Sequence, residues 1–153
     1  MDDIDHVLLN LIQVNGRESY ASYGQRVGLS ATAIHDRLKK LIRLGVLKHW
    51  SAVVSPAAAG CPVLAFIRIQ TDFPSSARSL ADAVTTLPEV LECHHTGSEW
   101  NCLLKVRAVS PEALEALIEQ HITSQPGIIR LQLERVTASS KESHVLSLAG
   151  IQE

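Results

Sequence analysis

Four prolines constrain the fold of this chain more tightly than any other feature. Pro74 and Pro88 lie 14 residues apart, and Pro111 and Pro126 lie 15 apart. Each pair brackets a helix-forming stretch, PSSARSLADAVTTL and SPEALEALIEQHITSQ. Proline suits the first helical turn and stops a helix from running on. PVLAFIRIQT and EVLECHHT flank the first stretch with strand-like runs, and NCLLKVRA and IIRLQLERVTA flank the second. The order is therefore βαβ–βαβ. Two helices on one face of an antiparallel four-stranded sheet make this a ferredoxin-like βαββαβ domain, expected over residues 63–153. KESHVLSLA is expected to add an edge strand to it.

A different periodicity governs the first 54 residues. Ile4, Val7, Leu8, Leu11 and Ile12 recur at helical spacing, behind Asp2 and Asp3 at the favourable end of the helix dipole. Asn15-Gly16 stops that helix, and a second follows from about Ala21 to Val27, ended by Gly28. The third starts after Ser30, a natural N-cap, and runs to about Leu44, with Gly45 closing it. Its apolar set is Ile34, Leu38, Leu41 and Ile42, while Thr32, His35, Asp36, Lys39, Lys40 and Arg43 form the opposite face. Val46 to Val54 reads as a β-hairpin or wing, and Ser55 to Pro62, rich in Pro and Gly, as a linker over 55–62. The expected fold class is α+β, with an N-terminal winged helix-turn-helix over 1–54.

Charge is distributed unevenly. The chain carries a net charge of −2, yet residues 26–48 hold six basic side chains (Arg26, Arg37, Lys39, Lys40, Arg43, Lys48) against one acidic, Asp36. Such a patch is either a polyanion footprint or a solvated helix face. Two short helices meeting at Gly28, with Gly24 small enough for close approach and a capped basic helix behind, favour the footprint. Ser30, Ala31, Thr32, Ala33 and His35, at the start of the third helix, would reach base edges; Arg37, Lys40 and Arg43 would hold phosphates. With Arg26, Asp36 and Lys39 these form the candidate DNA-binding set.

Hydrophobic residues make up 46% of the chain without any run approaching the roughly 20 residues of a membrane span. The acidic opening MDDIDH is unlike a secretory leader. Three cysteines, Cys61, Cys93 and Cys102, without a CxxC pair give no disulfide framework. A reducing cytoplasmic location is expected, with no membrane partner and no cofactor.

Three ordered segments carry a family resemblance. MDDIDHVLL resembles the LDxIDxxIL opening of the leucine-responsive regulatory protein/AsnC (feast/famine) regulators. GRESYASYGQRVGLSATAIHDRLKKLIRLGVLKHWSAVVSP looks like their winged helix-turn-helix in register. ECHHTGSEWNCLLKV is similar to their ECHxxxGxxDYLLKV segment. The resemblance covers nearly the whole chain. It implies a transcription regulator that binds double-stranded DNA and forms homodimers assembling into an octamer or similar ring. It further implies a small effector, usually an amino acid, bound between protomers.

ECHHTGSEWNC, residues 92–102, invites a metal-site reading. Strand alternation sends Cys93 and His95 to one face and Glu92 and His94 to the other, and the spacing of a tetrahedral zinc site is missing. No metal and no catalytic residue is therefore assigned, and small apolar roles on a sheet face suit the cysteines. The turn Thr96-Gly97-Ser98-Glu99-Trp100-Asn101 is the candidate effector site. A Gly-containing turn exposes backbone N–H groups, and polar neighbours can meet both ends of an amino acid. Ser98 stands where the family usually has Gly, and Asn101-Cys102 replace its Asp-Tyr, leaving Glu99 as the carboxylate of the turn. Two other functions fit the architecture. One is a tetrapyrrole (sirohaem) decarboxylase using His94, His95 and Arg107; the other is a stand-alone amino-acid sensor. The intact basic helix argues against an enzyme.

Overall fold

The computed structural model describes residues 1–148. They form two compact units, Met1–Val53 with the segment from Lys141 onward, and Val54–Ser140.

The first unit begins with α1, Asp3–Val14. Its N-terminus is a reciprocal cap: the Asp5 N–H donates to the Asp2 carboxylate at 2.8 Å, and the Asp2 N–H donates to the Asp5 carboxylate at 3.1 Å. Helix α2, Tyr20–Val27, is capped by Ser19 and left through Gly28 at φ 71°, a left-handed turn that glycine enters freely. Ser30 opens α3, Ala31–Arg43, its hydroxyl accepting from the Ala33 N–H at 3.2 Å. The α2–α3 turn is tight because Gly24 lacks a side chain: a Cβ there would sit 2.3 Å from the Leu29 carbonyl oxygen. Leu8, Leu9, Ile12, Tyr23, Ile34, Leu38 and Leu41 form the core of this unit. Ile42, expected inward, is 46% exposed. Helical stepping puts it about 80° around from Ile34, at the margin of the apolar stripe.

The expected wing hairpin over 46–54 is not formed; no strand occurs there. Val53 and Val54 remain exposed, so alternate residues gain no buried face, and an isolated two-stranded ribbon is marginal without one. Trp50 instead lays its ring against Gly16.

The second unit opens with a tight turn at 55–60, where the Cys61 N–H donates to the Pro56 carbonyl at 2.8 Å. The expected linker is thus part of this unit. Then follow β1 (Val63–Thr71), α4 (Pro74–Val84), β2 (Val90–His95), β3 (Cys102–Ala108), α5 (Pro111–Leu117) and β4 (Ile128–Arg135). A π-helical turn over Ile118–Ile122 continues α5. The four strands lie in the order β2-β3-β1-β4, all pairs antiparallel. This is the ferredoxin-like arrangement. Ala65, Ile67 and Ile69 of β1, with Cys102, Leu104 and Val106 of β3, bury one sheet face against Leu80, Val84, Leu114 and Leu117. Helix α4 stops short of Leu87 because the Thr85 and Thr86 hydroxyls donate to the Asp82 and Ala83 carbonyls, satisfying the last turn locally.

Residues 141–148, expected as an edge strand, form none. Leu146 is held by a side chain instead: its N–H donates to the Gln13 amide oxygen at 2.7 Å, and the Gln13 amide N–H donates back to its carbonyl at 3.3 Å. Leu148 packs on the three-helix core. Leu148 gains its apolar contacts there, while Val145 and Leu146 stay exposed. Ala149 and the rest of the domain expected to end at residue 153 lie outside the described residues.

Candidate nucleic-acid interface and effector loop

Helix α3 presents Ser30, Ala31, Thr32, His35, Asp36, Lys39, Lys40 and Arg43 to solvent, with Ala33 half-buried. Asp36, Lys39, Lys40 and Arg43 line a shallow open groove. Residues at helical spacing thus share one face, and that face is cationic apart from Asp36. The His35 Nδ1 lies 3.5 Å from the Asp36 carboxylate, and its ring is tilted against that of Tyr20, centroids 5.7 Å apart. Tyr20, 42% exposed, joins the face without having been singled out in the sequence. Its pairing with His35 crosses from α2 to α3, which periodicity within one helix does not reveal.

Two cations of the candidate DNA-binding set are already paired with carboxylates. Arg26 is paired with Glu18 at 3.1 Å, with half of its side chain still exposed. Arg37 is engaged by two carboxylates at once. Its Nη1 donates to both Asp2 carboxylate oxygens, at 2.9 and 2.7 Å, and to Asp5 at 2.7 Å. Asp5 is buried, and a buried carboxylate is retained only with a compensating partner. The Arg37 hydrogen bond, with the Asp5 N–H second, holds the Asp2 carboxyl below the usual carboxylate range, and the two carboxylates push the Arg37 guanidinium up.

In the second unit, the turn at 96–101 joins β2 to β3. The Thr96 N–H donates to the Asn101 carbonyl at 3.0 Å, and the Thr96 and Ser98 hydroxyls both donate to the Trp100 carbonyl. Asn101 is structural: its amide oxygen accepts from the Thr71 N–H at 3.0 Å, and its NH2 donates to the Thr71 hydroxyl at 2.9 Å. Thr71 is buried, so Asn101 ties the end of β1 to the start of β3. Gly97 is open to solvent and is not among the left-handed glycines, so no tight approach or strained backbone requires it. Glu99 and Trp100 converge on Arg130 of β4. Glu99 forms an ion pair with it, the Arg130 Cζ sits 4.5 Å from the Trp100 ring centroid, and its Nε donates to the Gln70 amide oxygen at 2.6 Å. Gln70 and Arg130 are register partners on β1 and β4, a juxtaposition the local pattern around residue 99 does not contain.

The flanking cysteines and histidines divide as strand alternation requires. His94 Nε2 lies 3.1 Å from Glu92, which also accepts from Lys105 at 3.3 Å. The His94 hydrogen bond, then that of Lys105, holds the Glu92 carboxyl low. His95 Nδ1 instead faces the Cys102 Sγ at 3.7 Å. Burial pushes both the Cys93 and Cys102 thiols up, which leaves them protonated and poorly nucleophilic. Among the described residues no group of three or more His, Cys, Asp or Glu is placed to hold a metal ion. His94 and His95 occupy opposite sheet faces, opposite Leu103 and Cys102 in the β2–β3 register.

The AsnC-type helix-turn-helix domain profile matches residues 1–42, and the Lrp/AsnC ligand binding domain profile matches 64–146. The transcriptional regulator LrpA of Mycobacterium tuberculosis is 30% identical over 145 residues, 95% of this chain and 97% of its own. The leucine-responsive regulatory protein of Klebsiella pneumoniae is 30% identical over 148 residues, 95% of this chain and 90% of its own. A Neisseria meningitidis transcriptional regulator solved as its L-Met complex superposes with a TM-score of 0.89 at 27% identity, covering 97% of each chain. Escherichia coli AsnC superposes at 0.84 with 25% identity, over 93% of this chain and 95% of its own. This chain belongs to the Lrp/AsnC family of helix-turn-helix transcriptional regulators.

Proposed function

We propose that this regulator binds double-stranded DNA through α3, reading bases with Thr32, His35 and their neighbours near the helix start and gripping phosphates with Lys39, Lys40 and Arg43. The exposed cationic stripe on a helix anchored by the Asp2–Asp5–Arg37 cluster carries this reading. A small amino acid modulates binding at the turn 96–101, as the L-Met complex of the Neisseria relative suggests by analogy. The chain acts as a regulator and not as an enzyme, and it works in the cytoplasm, where its DNA is.

Association of copies belongs to the same reading. The helices cover one sheet face, and the other carries half-buried Phe66, Arg68, Leu103 and Lys105. A second copy would cover that face in a homodimer, and dimers would join in an octamer or similar ring. Two-fold symmetry then calls for paired half-sites about one helical turn, or a multiple of it, apart.

Fluorescence-anisotropy titration against the DNA upstream of its own gene tests the proposal. Binding should be tight at low salt and fall steeply as salt rises. No binding down to about 50 mM salt would overturn it.

A further inference from the structure

We infer that Arg130 and Glu99 are the two ends of a receptor for a free α-amino acid with an uncharged side chain, and that their mutual ion pair is the placeholder which the amino acid replaces charge for charge. The inference rests on the reading that the turn 96–101 takes an amino acid, and it assigns the chemistry of recognition there.

The geometry separates a fixed half from a movable half. Arg130 is set on β4 and held by Gln70 of the adjoining β1, whose amide oxygen accepts from Nε at 2.6 Å. The Trp100 ring supports the guanidinium at 4.5 Å. Both contacts leave the Nη end directed at Glu99. That end is the edge of a guanidinium suited to receiving a carboxylate through two N–H donors. Glu99 sits on the turn, away from any strand.

Exposure makes the exchange inexpensive. The side chains of Glu99 and Arg130 are 64% and 46% exposed, and ion pairs in such surroundings contribute little to stability. A zwitterion restores both charges: its carboxylate takes the place of Glu99 on Arg130, and its ammonium takes the place of Arg130 on Glu99. The pair carries no net charge, which matches the zwitterion and selects against a third charge. The Thr96 and Ser98 hydroxyls already donate to the Trp100 carbonyl and Asn101 is engaged by Thr71, so none of them has a hydrogen left to donate to a side-chain carboxylate.

Calorimetric titration of the full chain with L-methionine, methioninamide and N-acetylmethionine tests this, with L-lysine and L-glutamate as charged comparators. Methioninamide lacks the carboxylate and N-acetylmethionine lacks the ammonium. Each should bind wild type about tenfold or more weakly than L-methionine, the loss expected for one charge-assisted contact. Arg130→Gln should abolish the preference for methionine over its amide while keeping the preference over the acetyl form. Glu99→Gln should do the reverse. This crossed pattern is one that general loosening of the turn would not produce, and the wild-type analogue series needs no variant to fold. If wild type binds methionine but neither variant shifts its own preference, or if lysine or glutamate binds as tightly as methionine, the receptor assignment fails and the effector reading stands. If wild type binds none of these amino acids, both fail together.

Discussion

Arg37 of α3 and Asp5 of α1 meet at 2.7 Å, with the carboxylate almost wholly withdrawn from solvent. The cation thereby fixes α3 on α1. Arg37→Leu should leave the buried Asp5 carboxylate without its cation, with only the Asp2 N–H still donating to it, and destabilise the DNA-binding unit by about 1–3 kcal/mol, read by denaturant unfolding. Lys40→Ala and Arg43→Ala should leave stability within about 0.5 kcal/mol of wild type, as surface substitutions do.

Salt dependence distinguishes the same residues by function. Removing a true phosphate contact reduces the slope of log affinity against log salt by about 1. Lys40→Ala and Arg43→Ala should each do so, uniformly across DNA sequences. Once folding is matched, Arg37→Gln should leave the slope unchanged. A reduced slope for Arg37→Gln would return that residue to the phosphate-contacting group.

Asp2 gives stability an acid limb. Its folded pKa lies below the ordinary carboxylate value, chiefly because of the Arg37 hydrogen bond. The folded state therefore favours the ionised form, and the resulting stability is present above the unfolded pKa and lost as pH falls through the depressed folded one. Melting temperature followed from pH 6 down to about 2 should fall less steeply for Asp2→Asn than for wild type.

The tight α2–α3 turn predicts unequal costs for two glycines. Gly24→Ala places a methyl 2.3 Å from the Leu29 carbonyl, a backbone atom that cannot rotate away, so about 1–3 kcal/mol should be lost with DNA affinity. Gly28→Ala meets no atom within 4 Å and carries only the left-handed backbone penalty of about 1–2 kcal/mol. Thermal unfolding paired with DNA titration should find Gly24→Ala the more damaging to binding.

Asn101 should behave as a structural residue even though it lies in the turn proposed for the effector. Asn101→Ala strands the Thr71 N–H, a loss of about 1–3 kcal/mol in stability. Methionine binding measured well below the melting temperature should keep its preference over the amide and acetyl analogues.

What the sequence revealed was mostly local in origin. The helix-opening prolines Pro74 and Pro111 and the caps Ser30 and Ser110 each act within one helical turn, so their positions alone located the elements. The alternation at Cys93, His94 and His95 likewise needed only the strand repeat of two. The carboxylate partners of Arg37 were not legible because they are 32 and 35 residues away, and the helical pattern shows only that it is charged. Asn101 and Thr71 are 30 apart, and Arg130 reaches the turn through the β1–β4 register. The segment at 141–148 alternates well enough for a strand, but Gln13 and the three-helix core gave its backbone and Leu148 other partners. The wing failed for a related reason: spacing describes a potential face and cannot supply the surface that would bury it.

The Gln13–Leu146 attachment makes the sheet-bearing unit an insertion between two parts of the DNA-binding unit. Its connections run through residues 53–54 and again through 140–141. A single protease cut in the turn at 55–60 would therefore leave one covalent bridge intact, and the severed pieces could still be joined by a stretch of chain leaving β4, the strand that carries Arg130. An event felt at that strand has a direct peptide route of fewer than twenty residues to the flank of α1.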